Sequence, residues 1–186
     1  MPDVIVVGDG PAGLSAALFT AKNGLDTLVF GTDDTSMHKA YLYNYLGIEE
    51  IHGTEFMETA RDQVENHGAD LVDREVVEIQ DTLNGFEVST EFDSFESEYV
   101  VLATGYVRDV AEKLGCEFEE INGTDVVAVD RNNETSVDNV YAAGWTTRPE
   151  KIQAAVSVGA GAIAALDILS TVKGQPFRDF DTPPDA

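Results

Sequence analysis

Three glycines near the start of the sequence have the spacing of a phosphate-binding turn. Gly8, Gly10 and Gly13 form the pattern Gly-x-Gly-x-x-Gly, with Pro11 and Ala12 between the second and the third. The first glycine of such a turn permits a tight bend, the second lets the backbone approach a pyrophosphate, and the third lets a helix pack closely on a strand. A helix that begins here directs its N–H groups and the positive end of its dipole at the phosphates. The pattern therefore predicts a dinucleotide site, with a glycine-rich turn without ligand as the alternative.

The segments on either side supply the elements that this turn needs. Residues 4–7 are a continuous β-branched run, which predicts a strand buried on both faces of a parallel sheet. Residues 14–23 predict a helix, and residues 25–30 predict the second strand of a βαβ unit. Such units carry an acid near the end of the second strand for a ribose hydroxyl, but Gly31 stands at that position. Asp33 is the candidate for this role, and a solvated loop aspartate is the alternative interpretation.

Several segments, in the same order along the chain, resemble motifs of thioredoxin reductases and related pyridine nucleotide-disulfide flavoproteins. Residues 8–13 are similar to the GxGPAG that opens their FAD domain, and residues 103–105 are similar to their ATG motif. Residues 135–144 resemble a later segment that ends in Ala-Ala-Gly. Residues 44–47 resemble the Asn-x-Pro-Gly of these proteins, and residues 153–154 fall where they place a flavin-facing Gln-Ala.

The resemblance implies a fold, a cofactor and a set of binding residues. The implied fold class is α/β, a Rossmann-like FAD/NAD(P)-binding domain with a mostly parallel sheet plus a small antiparallel β element. It forms a single FAD-binding domain over residues 1–175, followed by an acidic, disordered tail over residues 176–186. The implied cofactor is FAD, and neither a catalytic side chain nor a metal ligand is expected. The implied cofactor-binding residues are Gly8, Gly10, Pro11, Ala12, Gly13, Asp33, Asn44, Val76, Thr104, Gly105, Gly144, Trp145, Gln153 and Ala154.

One departure from the family lies between two of these motifs. The family has a complete NAD(P)H domain between the ATG motif and the last FAD segment, whereas here only residues 106–125 separate Gly105 from Val126. A βαβ unit needs about 30 residues or more, so we expect that domain to be absent. The redox CxxC of thioredoxin reductases lies in the missing part, and Cys116 is the single cysteine of this chain. The acidic residues that follow Cys116 disfavour a thiolate, which predicts an ordinary thiol.

Two further departures lie at the predicted flavin. Trp145 stands where the family has an acid that bonds the ribityl chain, so the indole either stacks near the cofactor or weakens its binding. The loop at residues 31–44 is shorter than in thioredoxin reductases and lacks their Gly-Gly-Gln flavin clamp. A second glycine pattern, at residues 159–164, fits the GxGxxA of NADP sites, but no strand with a ribose-binding residue follows it. These small residues are predicted to pack the last helix, residues 151–172, closely on the sheet.

The remaining elements are predicted from composition and turn residues. Residues 31–53 are predicted as a loop, and Thr54 is predicted to cap a helix that extends to Asn66. Asn84-Gly85 is a strong hairpin signal. Further short strands are predicted at residues 71–79, 86–90, 99–103, 125–129 and 140–142.

Composition bears on surroundings and partners. The 35 acidic and 11 basic residues give a net charge of -24, which repels phosphate backbones and anionic lipid, so neither nucleic acid nor a membrane is an expected partner. Acid spread along the whole chain is typical of a halophilic protein in strong salt, which screens self-repulsion. The start of the chain does not resemble a signal peptide, so a cytoplasmic location is expected. The family resemblance implies a homodimer.

Three functions remain open from the sequence. The first is a flavoprotein oxidoreductase that resembles a thioredoxin reductase without its nicotinamide domain, with NAD(P)H as a transient donor or another small-molecule or protein electron donor or acceptor as partner. The second is a flavin-binding sensor, carrier or subunit without turnover of its own. The third is a single-Rossmann NAD-binding protein. The ATG and Ala-Ala-Gly segments favour the first two, whereas Trp145 and the short loop favour the second over the first.

Overall fold

A parallel sheet of short, buried strands forms the centre of the molecule. The computed structural model describes residues 1–183, and two 3₁₀ turns, Ser36–Lys39 and Gly144–Thr146, accompany its helices and strands. In chain order the elements are β1 (Val4–Val7), α1 (Pro11–Lys22), β2 (Thr27–Gly31), β3 (Tyr41–Leu42), β4 (Ile51–His52), α2 (Gly53–Asn66), β5 (Asp70–Asp73), β6 (Val76–Thr82), β7 (Gly85–Thr90), β8 (Ser94–Ser97), β9 (Tyr99–Leu102), α3 (Asp109–Leu114), β10 (Phe118–Ile121), β11 (Thr124–Val127), β12 (Val140–Ala142) and α4 (Ala154–Lys173).

β1 lies in the middle of this sheet, where its apolar side chains are buried on both faces. The strand order is β12-β9-β1-β2-β5, and all four pairings are parallel. Val4 is in register with Thr27 of β2 on one side and with Tyr99 of β9 on the other. Continuous apolar strands are what a sheet covered on both faces requires. The α/β fold class with a mostly parallel sheet is thus confirmed.

The two faces of the sheet are covered by different layers. Val4 and Val6 share one hydrophobic core with residues of α1, α2 and α4. Ile5 and Val7 share a second core with residues of β6, β7 and α3. β6, β7 and β8 form a separate antiparallel sheet, and β10 pairs with β11 in an antiparallel hairpin. The expected antiparallel element is therefore present, as a three-stranded sheet and a hairpin on the face opposite the long helices.

α4 packs along α1 at a distance that only glycine permits. A Cβ added at Gly161 would lie 2.0 Å from the backbone oxygen of Ala12, whereas one added at Gly159 would meet no atom within 4 Å. Ser15 Oγ of α1 donates a hydrogen bond of 2.8 Å to the backbone oxygen of Val158. Of the two glycines in the second pattern, only Gly161 is required by packing, and its closest contact is with α1 rather than with the sheet.

The composition of α4 would also suit a membrane. It is the one helix within residues 1–183 that is long and apolar enough to span a bilayer, with 20 residues and a mean hydropathy of 1.8. Its inner face is buried in the core through Ala164, Ala165 and Ile168. Core helices of α/β domains have the same composition, because they lie between a sheet and a second helix.

Several element boundaries differ from the sequence expectation. The predicted strand 71–79 is two strands: the Arg74 N–H donates to the backbone oxygen of Val72 at 2.9 Å in a tight turn after β5, and β6 then joins the antiparallel sheet. The N-cap of α2 is His52, whose Nδ1 accepts from the Thr54 N–H at 3.2 Å, and not Thr54 itself. α3, β8 and β10 were not predicted, nor were β3 and β4, which lie in the segment predicted as a loop.

The described part of the acidic C-terminal segment contacts the body of the protein. Lys22 at the end of α1 donates to Asp179 at 2.8 Å and forms an ion pair with Asp181. The Phe177 N–H donates to Ser170 Oγ at 3.0 Å. Residues 184–186, which belong to the segment predicted as a disordered tail, lie outside the described residues.

The buried tyrosines predict a loss of stability at alkaline pH. Burial, reinforced by Glu98, raises the pKa of Tyr99 to about 12 from the ordinary value of 10.0. The folded state therefore holds this proton more tightly, so the contribution is complete below pH 10 and is lost as the pH rises from 10 to about 12. We expect chemical unfolding followed from pH 8 to 11.5 to show a falling free energy above pH 10, and Tyr99→Phe to reduce that slope. An identical slope in Tyr99→Phe would assign the pH dependence to other groups, among them Tyr141, whose pKa burial also raises.

Candidate cofactor site

A cleft of about 630 Å³ opens at the carboxyl-terminal edge of the parallel sheet. Ligand sites in α/β proteins lie at this edge, where the loops after neighbouring strands diverge. The loops after β1, β2, β9 and β12 and the start of α4 all contribute to its walls. Of the residues that the sequence indicated, the structure places in the wall Gly8, Gly10, Pro11, Ala12, Val76, Thr104, Gly105, Gly144, Trp145, Gln153 and Ala154.

Two glycines of the first turn are required by the protein's own packing. Gly8 has a φ of +109°, and a Cβ there would lie 2.2 Å from the backbone oxygen of Ala103 in the turn after β9. A Cβ at Gly13 would lie 1.8 Å from the backbone oxygen of Gly8, so only glycine allows α1 to begin so close to β1. Gly13 therefore acts behind the cleft wall and does not line it.

Gly10 is different, because nothing in the protein requires a glycine there. Its φ of -73° is available to any residue, and the nearest atom to an added Cβ would be Thr35 Oγ1, at 3.8 Å across the cleft. Gly10 is the N-cap of α1, and no side chain caps this helix. Within residues 1–183 the N–H groups of Gly10, Ala12 and Gly13 have no hydrogen-bond acceptor. The turn thus presents free amides, next to a position without a side chain, at the positive end of a helix dipole.

Two further predicted residues lie beside the cleft rather than in its wall. Asp33 has a left-handed φ of +54°, and its Oδ1 lies 3.1 Å from Nε2 of His38. Asn44 Nδ2 donates a hydrogen bond of 2.8 Å to Oε1 of Gln153, which joins the loop before β4 to the start of α4. Asn44 can therefore orient a cleft residue, whereas the side chain of Asp33 is engaged with the neighbouring loop.

Asp9, for which the sequence indicated no role, lines the cleft at the first turn. Asp9 is 7% exposed, forms an ion pair with Arg61 of α2, and its Oδ2 accepts the N–H of Asp33 at 2.9 Å. A Cβ added at Gly31, the last residue of β2, would lie 2.1 Å from the Asp9 carboxyl carbon. Two features of the sequence together could have indicated this residue. Asp9 stands at a variable position of the glycine pattern, and Gly31 stands at the strand end where an acid is usual.

The opposite end of the cleft is aromatic. Gly144 has a φ of +79°, and the following Trp145 packs on Tyr106 with the ring centroids 4.2 Å apart. Arg108 donates to the backbone oxygens of Tyr106 at 2.9 Å and Trp145 at 3.3 Å, which ties the two segments together. The N-terminus of α4, with no acid in its first turn, also faces this end through Gln153.

Other reactive side chains lie away from the cleft. Burial raises the pKa of the Cys116 thiol, which sits in the second core. A protonated thiol is a weak nucleophile, in keeping with the ordinary thiol predicted from the sequence. No group of three or more His, Cys, Asp or Glu side chains within residues 1–183 has the arrangement of a metal site.

The fold and the cleft together define a Rossmann-like nucleotide-binding domain. A family model described as pyridine nucleotide-disulphide oxidoreductase matches residues 2–105 and, in an overlapping segment, residues 44–159. The chain therefore belongs to the pyridine nucleotide-disulphide oxidoreductase family. The resemblance stated from the motifs is confirmed.

Curated relatives agree with this assignment. A thioredoxin reductase of Streptomyces coelicolor is 36% identical over 127 residues, which are 63% of this chain and 38% of that protein. A thioredoxin reductase of Spironucleus barkhanus is 28% identical over 117 residues, 60% of this chain and 38% of that protein. The chain thus spans 38% of the length of these relatives.

Solved structures share the fold at low sequence identity. A thioredoxin reductase from Gloeobacter violaceus superposes with a TM-score of 0.82 at 19% identity, over 97% of this chain and 99% of that chain. An oxidoreductase from Agrobacterium tumefaciens superposes with a TM-score of 0.85 at 16% identity, over 93% of this chain and 99% of that chain. Similarity at this level supports the Rossmann-like architecture.

Proposed function

We propose that this chain is an FAD-binding flavoprotein oxidoreductase, a minimal relative of thioredoxin reductases without a nicotinamide domain or a redox dithiol. The observation that carries the proposal is Gly10, a glycine that the protein itself does not need. It stands in an open cleft, beside free amides at the start of α1. A backbone shaped in this way suits a pyrophosphate, which requires close approach and N–H donors.

The volume of the cleft, about 630 Å³, and the chemistry of its two ends favour FAD over a smaller nucleotide. The amides before α1 suit the pyrophosphate, and Val76 at the start of β6, which lies in the cleft wall, would face the adenine. Trp145, Gln153 and the N-terminus of α4 would face the flavin. Bound FAD would supply the redox chemistry, since no side chain of the cleft is a convincing acid, base or nucleophile. The dipole of α4 would favour negative charge at its end of the cleft.

The electrons must then come from outside the chain. Residues 106–125 hold α3, β10 and the start of β11, which leaves no segment there for a second nucleotide-binding domain. Cys116 is buried and single, so a dithiol relay of the thioredoxin reductase kind has no residues here. We therefore propose free NAD(P)H, as a transient donor, or a separate protein as the electron partner.

A second function is favoured by the aromatic end of the cleft. Trp145 and Tyr106 stand on the wall where a donor would approach the flavin. If they cover the cofactor, the protein would bind FAD as a sensor, carrier or subunit without turnover. The visible spectrum of protein purified in high salt, before and after addition of NADH and NADPH, separates the two functions. Bleaching supports the oxidoreductase, a stable yellow protein supports the second function, and a colourless protein that takes up no FAD contradicts both.

The single tryptophan of the chain provides a direct measure of binding. Trp145 lines the cleft, and flavins accept energy and electrons from nearby indoles. We therefore expect its emission to fall on titration with FAD and to saturate at stoichiometric cofactor. NAD, which has no flavin, should leave most of the emission intact. Trp145→Phe serves as the blank, and emission unchanged by FAD in protein that is otherwise folded would contradict the proposed site.

A further inference from the structure

We propose that Asp9 is the residue that binds the adenosine ribose hydroxyls of the cofactor, in place of an acid at the end of β2. The inference rests on the proposed FAD site and names the residue that would recognise one part of the ligand. It also implies that the cleft discriminates against nucleotides with a 2′-phosphate.

The first observation is that Asp9 carries an acidic side chain next to Gly31, the strand-end position where an acid is usual. Gly31 ends β2 and lacks the positive φ that would explain a glycine. The three atoms nearest to a Cβ added there all belong to Asp9, whose Cγ, Oδ1 and Cβ would lie within 2.5 Å of it. The Asp9 carboxylate thus occupies the space where a side chain at Gly31 would begin. The acid that is usual at the end of the second strand is thus absent from β2, and an acid in the turn before α1 occupies its place.

The second observation is that one carboxylate oxygen is held and the other is free. Oδ2 accepts the Asp33 N–H at 2.9 Å and is paired with Arg61, which fixes the side chain against the turn. Oδ1 accepts no hydrogen bond from any residue within 1–183, although Asp9 lies in the cleft wall. A desolvated carboxylate with a free acceptor oxygen suits a hydroxyl donor, because charge-assisted hydrogen bonds are the stronger ones.

The adenosine ribose is the hydroxyl-bearing group that matches this position. Asp9 adjoins Gly10, so a nucleotide whose pyrophosphate meets the Gly10 turn places its adenosine ribose at the β2 side of that turn. A vicinal diol can donate to Oδ1, whereas a 2′-phosphate would meet a negative charge and be repelled. Asp33 does not fill this role, because its Oδ1 lies 3.1 Å from Nε2 of His38 and Asp33 does not line the cleft.

The test compares nucleotides on isosteric variants. We expect Asp9→Asn to weaken FAD binding by about 10- to 100-fold in a Trp145 fluorescence titration, because a charge-assisted hydrogen bond is lost. Competition by ADP and by adenosine 2′-phosphate 5′-diphosphate, which differ only in the 2′-phosphate, should show wild type preferring ADP, and Asp9→Asn losing that preference. Asp62→Asn, on the exposed face of α2 next to Arg61, is the matched control and should bind FAD like wild type.

A rescue variant separates recognition from a purely structural role. Asp9→Gly removes the obstacle at Gly31, so the double variant Asp9→Gly/Gly31→Glu should carry the acid on the strand end and regain the preference for ADP. Thermal unfolding of each variant without ligand shows whether the loss of the Arg61 ion pair has affected the fold. This measurement keeps the comparison valid, since only variants that unfold cooperatively are titrated.

The outcomes distinguish this inference from the proposed function. Wild type that binds neither FAD nor ADP contradicts the proposed function itself. Wild type that binds FAD, together with Asp9→Asn that binds it equally and keeps the preference for ADP, overturns the role of Asp9 alone. Loss of FAD affinity in Asp33→Asn but not in Asp9→Asn would assign ribose binding to Asp33, the residue expected from the sequence.

Discussion

Gly161→Ala is expected to destabilise the protein by about 3 kcal/mol or more, a large part of the stability of a domain of this size. The added methyl would lie 2.0 Å from the backbone oxygen of Ala12 and 3.0 Å from the Ala16 nitrogen. Neither atom can move without shifting α1, so the two helices must separate along their contact. The measurement is the free energy of unfolding in denaturant.

Gly159→Ala is the matched control for this variant. Gly159 lies in the same helix, two residues earlier, and an added Cβ there would meet no atom within 4 Å. Alanine in a helix interior is favoured over glycine by about 0.5 to 1 kcal/mol, so this variant is expected to be slightly more stable than wild type. Equal effects of the two substitutions would show that helix propensity, and not the contact of α4 with α1, governs this segment.

Gly10→Ala is expected to leave the fold intact and to weaken FAD binding by roughly 100-fold, which corresponds to about 2.7 kcal/mol. Gly10 has an ordinary φ, and its added Cβ would lie 3.8 Å from the nearest atom, Thr35 Oγ1. The methyl group would instead occupy the space that the pyrophosphate needs to reach the amides before α1. Thermal unfolding without ligand and a Trp145 fluorescence titration with FAD measure the two effects separately.

Gly8→Ala is expected to behave differently from Gly10→Ala. Gly8→Ala combines a φ of +109° with a contact of 2.2 Å to the Ala103 oxygen, so it should lower stability and binding together. Gly10→Ala should lower binding alone. A Gly10→Ala protein that binds FAD normally would contradict the proposed pyrophosphate position, whereas one that fails to fold would contradict the open geometry described for this turn.

The central sheet and the first turn could be predicted because their signals are local. The β-branched run Val4–Val7, the glycine turn and the following helix each specify a backbone conformation within a few residues. The hairpin at Asn84-Gly85 is of the same kind, and β6 and β7 do pair across it. Most of the cleft wall follows from these elements, since the ends of parallel strands meet at one edge of the sheet.

The features that could not be predicted depend on distant residues. The ion pair of Asp9 with Arg61 joins positions 52 residues apart, and no local sequence pattern indicates it. The contact of Tyr106 with Trp145 arises only when the turns after β9 and β12 are brought together in the sheet. The strand predicted at residues 71–79 is divided for a related reason, because β5 pairs with β2 of the parallel sheet, whereas β6 pairs with β7 of the antiparallel sheet.

The packing of α4 on α1 has a consequence for how the chain acquires its structure. The glycine turn precedes α1, yet α1 packs against Gly161, some 150 residues later in the chain, so the contact has a high sequence separation. A nascent polypeptide on the ribosome would expose the Ala12–Ala16 surface until α4 is synthesised. Assembly of the domain is therefore a late event, and shortened chains that end before α4 are expected to aggregate rather than to fold.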